Sequence, residues 1–269
     1  MADNRAHNSW TRYPIIWWSL FKYSLAREME FKTNFLGRGL IEVIWLVTQV
    51  IFFSTALKYM DHFGNLEREE VWLFVGTLFF VDGLFMMFFH DNQKNFGQMI
   101  RGGLLDFHLL RPISPLFLAN FKSVNAVSVL NLLIAGGVVG WASINLHLSI
   151  LQMLIWTVYA ATGLILIGCL GILTCSIAFW TTQTSNLMWM FFELYRLGFR
   201  PETLYDRWLQ RFLLTIFPAA FFMSIPVQLT LGKRNGIWYA YPFIVVMLAV
   251  AITTYIWKKG IRNYEGAMS

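Results

Sequence analysis

Charge is what this chain has least of. Asp, Glu, Lys and Arg make up 13% of its 269 residues, against 57% hydrophobic residues. Soluble domains carry roughly 25% charged residues, so a deficit of this size excludes a sizeable water-exposed domain. Cysteine is nearly absent, with only Cys169 and Cys175. Six helical positions apart, they point about 240° from each other, which excludes an intrahelical disulfide, and neither has neighbouring zinc ligands. No G-x-x-x-x-G-K-[ST] run occurs, because Gly232-Lys233-Arg234 lacks both the leading glycine and the hydroxyl. If ATP drives this protein, another chain binds it. Zincin-spaced histidines and Gly-x-Ser-x-Gly are missing too. His90-Asp91 and Asp106-x-His108 are acid/base pairs in type, but they sit at a span end or in a basic loop, where water solvates them. A cleavable leader is not expected, since residues 1–13 are polar and a broken amphipathic stretch follows. No internal repeat or linker divides residues 1–269, so one membrane domain is expected.

What the chain has is a series of apolar runs near the roughly 20 residues that cross a bilayer. They place span one at 39–57, span two at 71–89, span three at 116–141, span four at 150–180 and the last span at 237–257. Before them, 14–36 reads as an interfacial helix: Ile15, Trp18, Phe21, Leu25 and Met29 form one stripe, opposite Lys22, Arg27, Glu30 and Lys32. Gly136-Gly137 and Gly163, Gly168 and Gly171 are expected to allow close helix contact. Trp10, Trp17, Trp18, Trp238, Tyr239, Tyr241 and Trp257 suit the aromatic belts at the two interfaces.

Residues 181–232 admit two readings. In one, 187–211 is an inner loop and 212–231 is span five. In the other, 182–199 is span five and 203–231, broken by Pro218 and Pro226, dips into the membrane and returns on the outer side. Proline-broken backbone at membrane depth is tolerated only where protein or water shields it. Lys and Arg divide 17 inside to 4 outside on the first reading and 13 to 8 on the second, so the positive-inside rule weighs against the hairpin. Both readings give six spans with both termini, and the segment 1–38, on the cytoplasmic side. This distribution of the net +6 charge fits membrane orientation better than a nucleic-acid partner, and none is expected.

The polar stretch 91–115, DNQKNFGQMIRGGLLDFHLLRPISP, carries Lys94, Arg101 and Arg111 and is placed on the cytoplasmic side. Phe96, Met99, Ile100, Leu104 and Phe107 recur at steps of three or four, giving a short helix one apolar face; Gly102-Gly103 interrupts it, and Pro112 and Pro115 end it. The run Ile100-Arg101-Gly102-Gly103-Leu104-Leu105-Asp106, then Leu109-Leu110-Arg111-Pro112-Ile113, resembles the loop between spans two and three of type-2 ABC exporter permeases (the ABC-2 type), nearest to a poorly characterised bacterial branch. The pattern Pro201, Leu204, Trp208, Pro218, Pro226 is similar to that family's re-entrant outer hairpin, and on that resemblance the second reading of 181–232 is preferred.

The resemblance implies an all-α polytopic membrane protein in a bacterial cytoplasmic membrane: an elbow helix, six spans, a coupling helix, and a hairpin before the last span. It implies a permease subunit of an ATP-driven exporter that pairs with a second, more often non-identical permease chain and two copies of an ATPase holding ATP and Mg. Arg101, Gly103, Asp106, Arg111 and Pro112 match the family's coupling loop. The bland reading is that Arg101 and Arg111 hold phospholipid headgroups.

Independently of the resemblance, three carboxylates fall in or beside spans: Glu42, Asp82 and Glu193. A charged carboxylate at the bilayer centre costs about 3 kcal/mol on insertion scales, so each is expected to face protein or water. Glu193 has Arg196 three residues on, the spacing of a helical ion pair. Structural pairing is favoured for all three over contact with substrate. An ion-coupled secondary carrier and a membrane-embedded enzyme of lipid metabolism are the rival functions. The first would more often show matching half-repeats, and 1–135 does not echo 136–269; the second needs a converging catalytic set, which is not found.

Overall fold

The computed structural model describes residues 9–30, 32–60, 62–110, 113–181 and 185–264. Its helices are α1 (Ser9–Glu30), α2 (Lys32–Tyr59), α3 (Arg68–Phe85), α4 (Asp91–Arg101), α5 (Leu104–Leu109), α6 (Pro115–Phe121), α7 (Ser128–Asn145), α8 (Ile150–Ser176), α9 (Ser185–Arg196), α10 (Arg207–Thr215), α11 (Ser224–Thr230) and α12 (Tyr241–Asn263). A two-stranded hairpin, β1 (His62–Phe63) with β2 (Leu66–Glu67), turns at Gly64, whose φ of +70° suits glycine. Among the described residues, five helical stretches are long and apolar enough to cross a membrane: Lys32–Tyr59, Arg68–Arg101, Ser128–Asn145, Ile150–Phe179 and Tyr241–Asn263. The fold is an all-α polytopic one. Of the sixth expected span, at 182–199, the described residues form α9 and a 3-10 turn through Phe199, together about 24 Å long by helical rise.

α3 and α8 form the centre and are buried on most sides, whereas α2, α7 and α12 turn one face inward. Glycine makes the central contacts possible. Gly76 and Gly83 of α3 meet Val139, Asn131 and Leu132 of α7. Gly163, Gly168 and Gly171 of α8 meet the Phe221 and Phe222 carbonyls, the Phe89 ring and the Gln93 amide. The expectation for Gly136-Gly137 is corrected: no described atom of this chain lies within 4 Å of a Cβ built on either, and both face outward. Trp257 is likewise no belt residue. It is buried in the core, with its ring 5.3 Å from Phe96 and 5.4 Å from Phe179.

Several expected boundaries differ, and the last span is Tyr241–Asn263 rather than 237–257. First, span one does not wait for residue 39, because α2 starts at Lys32, two residues after α1 ends. Second, span two does not stop at Phe89. A π-helical turn, Met86–His90, joins α3 to α4 and carries the helix on to Arg101. Third, span three does not run unbroken from 116 to 141. α6 ends at Phe121 and α7 begins at Ser128.

The second and third differences have one cause. Four successive amides bond elsewhere than to the preceding turn: Ser123 to Asn92 Oδ1 (2.9 Å), Val124 to Ser24 Oγ (3.2 Å), Asn125 to the Met87 carbonyl in the π turn (3.0 Å) and Ala126 to Glu28 Oε2 (3.1 Å). These bonds also fasten α1 to the bundle. The opposite side of α1 leaves Ile15, Trp18 and Met29 exposed, as an interfacial helix requires.

The segment 203–231 forms no single span. α10, a 3-10 turn at Ala219–Phe221 and α11 make a broken excursion. Both of its ends meet the β1–β2 turn: Thr203 Oγ1 accepts from the Asn65 amide at 3.2 Å, and Lys233 Nζ donates to the Asn65 carbonyl at 2.6 Å. Its tip lies against Gly163, 13 positions into α8 and so about 20 Å along it. The backbone enters and leaves on one side, which is the hairpin arrangement.

Candidate functional site

Each of the three carboxylates is held by a different element, and all three line one cavity of about 420 Å³ between α2, α3 and α9. Glu42 on α2 accepts a hydrogen bond from Asn131 Nδ2 of α7 at 2.9 Å. Asp82, buried on α3, accepts one from the Tyr195 hydroxyl of α9 at 2.7 Å. Glu193 pairs with Arg196 at 3.0 Å, both partly exposed, so the bond adds little to stability. Trp45, Trp189, Phe192 and Phe199 supply the walls.

A second cavity of about 530 Å³ shares Trp45, Glu193, Arg196 and Phe199 with the first and continues to Gln49, Arg200 and Tyr205. His90 closes the other end of the first cavity. Its Nδ1 lies 3.0 Å from Asp91 Oδ1, and Asp91 in turn meets Arg38 at 3.4 Å. His90-Asp91 therefore belongs to a polar chain, Glu28–Arg38–Asp91–His90, with Arg38 3.6 Å from Glu28. Burial pushes the Glu28 carboxyl above its usual range, while Arg38 and the Ala126 amide act against the shift.

A polar track thus runs past α2 and α9. Tyr195 and Asn131 are the members that sequence reasoning missed. A tyrosine beside Glu193 and Arg196 and an asparagine in an apolar run are visible signals, but nothing local says which carboxylate each will meet.

The coupling-loop residues lie apart from this cavity. α4 turns its Phe96 inward, fully buried, and Gln93 of the same helix donates to the Gly168 carbonyl at 3.0 Å. At Gly103, with φ +65°, the backbone turns left-handed and α5 departs in a new direction. The expected single apolar face is therefore divided. Phe96 packs inside with Met99 and Ile100 against the core, while Leu104 and Phe107 on α5 are exposed, as is Leu110 beyond it. Arg101 is at the exposed corner. Asp106 lies near Tyr264, just past α12, where burial first, then hydrogen bonding to Asp106 and last the Asp106 charge raise the tyrosine's pKa. Arg111 and Pro112 lie outside the described residues. No group of three or more His, Cys, Asp or Glu able to hold a metal occurs among the described residues.

A family model described as "ABC-2 family transporter protein" matches residues 43–268, from within α2 to beyond α12. No curated protein and no solved structure matches the chain.

Proposed function

Because the chain belongs to the ABC-2 family of transporter proteins, and is thus a multi-pass membrane permease component of an ABC transporter, we propose that it serves an ATP-driven exporter. In this reading it pairs with a second permease chain, and two copies of a separate ATPase bind ATP and Mg. The complex sits in a bacterial cytoplasmic membrane with both termini inside. The observation that carries the pathway assignment is the convergence of Glu42, Asp82 and Glu193 on one cavity. Intramembrane carboxylates are expensive, and those facing an open space mark a route more often than a packing contact.

The exposed apolar face of α5, with Arg101 at its corner, is the surface we assign to the ATPase. ATP-driven closure of the ATPase dimer would push on this tip and on α1, shifting the population between inward-open and outward-open states. Gly103 supplies the turn that aims α5, Asp106 and Arg111 supply charge to the ATPase surface, and Pro112 fixes the exit angle.

The test is purification of the tagged protein from its host in mild detergent, with identification of co-purifying chains and assay of ATP hydrolysis. An ATPase subunit that co-purifies supports the reading. A chain that purifies alone, with no nucleotide dependence, would move the assignment to an ion-coupled carrier. Arg111→Glu should weaken ATPase association about tenfold, roughly 1.4 kcal/mol. Unchanged association would return Arg101 and Arg111 to headgroup binding. Asp82→Asn keeps an oxygen acceptor for Tyr195 and removes the charge. It should yield normal amounts of assembled complex with transport-coupled ATP hydrolysis lowered about tenfold. Unaltered coupled hydrolysis would remove Asp82 from the pathway.

A further inference from the structure

The charges around the α2–α3–α9 cavity do not balance. Arg196 is engaged by Glu193 at 3.0 Å, and His90 by Asp91 at 3.0 Å. Glu42 and Asp82 have only neutral donors, the Asn131 amide and the Tyr195 hydroxyl, and among the described residues neither forms an ion pair. The space is therefore lined by two acidic groups that no described cation of this chain pairs with, at membrane depth, where an acidic group without a countercharge is costly.

Its walls point to what the countercharge is. Trp45, Trp189, Phe192 and Phe199 offer aromatic faces, which attract cations that have shed their water. A small hydrated metal ion would gain nothing from such walls, and the described residues hold no metal-binding cluster. The volume of about 420 Å³ falls in the range of small organic ligands.

We propose that this cavity binds an amphipathic organic monocation, its charge held by Glu42 and Asp82 and its apolar body by the tryptophan and phenylalanine rings. That such a cation is also the transported substrate rests on the exporter reading above; its binding does not.

The test uses the purified complex in detergent and two probes of the same shape and opposite charge, tetraphenylphosphonium and tetraphenylborate, titrated calorimetrically with protein-free micelles as the blank. Tetraphenylphosphonium should saturate one site and bind at least about tenfold more tightly than tetraphenylborate. Glu42→Gln and Asp82→Asn should each weaken it about fivefold, and Trp189→Ala, at the exposed rim, should weaken it several-fold without threatening the fold. Equal affinity for the two probes, or affinity for the cation that survives all three substitutions, overturns the proposal. Loss of the cation site in a complex that still carries its ATPase would leave the exporter reading standing. Cation binding by a chain that purifies without an ATPase would uphold the site and remove the exporter reading.

Discussion

Gly163→Leu should abolish recovery of folded protein from detergent extracts, and even Gly163→Ala should lower its melting temperature by several degrees. A Cβ at this position would lie 2.6 and 2.7 Å from the carbonyl oxygens of Phe222 and Phe221. Those atoms are backbone at the tip of the re-entrant hairpin, so the hairpin itself must move. Overpacking of this kind costs about 3 kcal/mol, and the helix-forming gain of alanine over glycine returns about 1 kcal/mol. Gly171→Ala is the control. Its Cβ would meet the Gln93 amide, the far end of a flexible side chain that can swing away at the loss of its hydrogen bonds to the Gly168 carbonyl and Asn120 Oδ1. That loss of about 1–2 kcal/mol is largely offset by the alanine gain, so the melting temperature should fall far less than in Gly163→Ala. Fluorescence-monitored thermal unfolding of the three variants decides the matter. Equal shifts for Gly163→Ala and Gly171→Ala would mean that the hairpin tip does not rest on α8.

Arg234→Met should destabilise the protein by about 3–5 kcal/mol, because it strands a buried carboxylate. Glu202 is 1% exposed and pairs with Arg234 at 2.7 Å. It also accepts from the Ser224 hydroxyl and, at 2.9 Å, from Gln228 Nε2. Arg234 further stacks over Trp238 at 3.8 Å. The pair joins the start of the hairpin to the chain beyond α11. The double variant Glu202→Gln/Arg234→Met should recover at least half of the loss, since the neutral amide keeps hydrogen bonds to Ser224 and Gln228 without an orphaned charge. A double-mutant cycle on unfolding free energies measures this, and strict additivity of the two single effects would refute the pairing argument.

Much of this architecture is legible in the residues, and the failures have a common origin. Runs of apolar residues locate α2, α3, α8 and α12, and Ser149 with Gln152 forms the capping box that starts α8 at Ile150. Pro218 and Pro226 point to the broken hairpin. What composition hides is where backbone and polar side chains find distant partners. The string Asp91-Asn92-Gln93 reads as a loop, yet Asn92 reaches the carbonyls of Phe88, Asn120 and Ser123, and the helix continues through it. Residues 123–126 read as part of a span, yet their amides are taken by α1, α4 and the π turn. The site shows the same division. The burial cost of a carboxylate singles out Glu42, Asp82 and Glu193 one at a time, and only the packing of α2, α3 and α9 brings them around a single space.

The union of α3 and α4 has a mechanical consequence. Arg68–Arg101 is one rod of 34 residues, about 51 Å long, and so about 20 Å longer than the bilayer core it crosses. Asp82 lies near its middle and Arg101 at its end, about 28 Å away along the axis. A tilt of only about 6° at Asp82 therefore sweeps Arg101 through roughly 3 Å, and the reverse holds for a push delivered at the tip. Between them lies the π turn, Met86–His90, whose Met87 carbonyl accepts from the Asn125 amide. If the proposed push on the α5 tip occurs, stiffness at those five residues would set how much of it reaches Asp82.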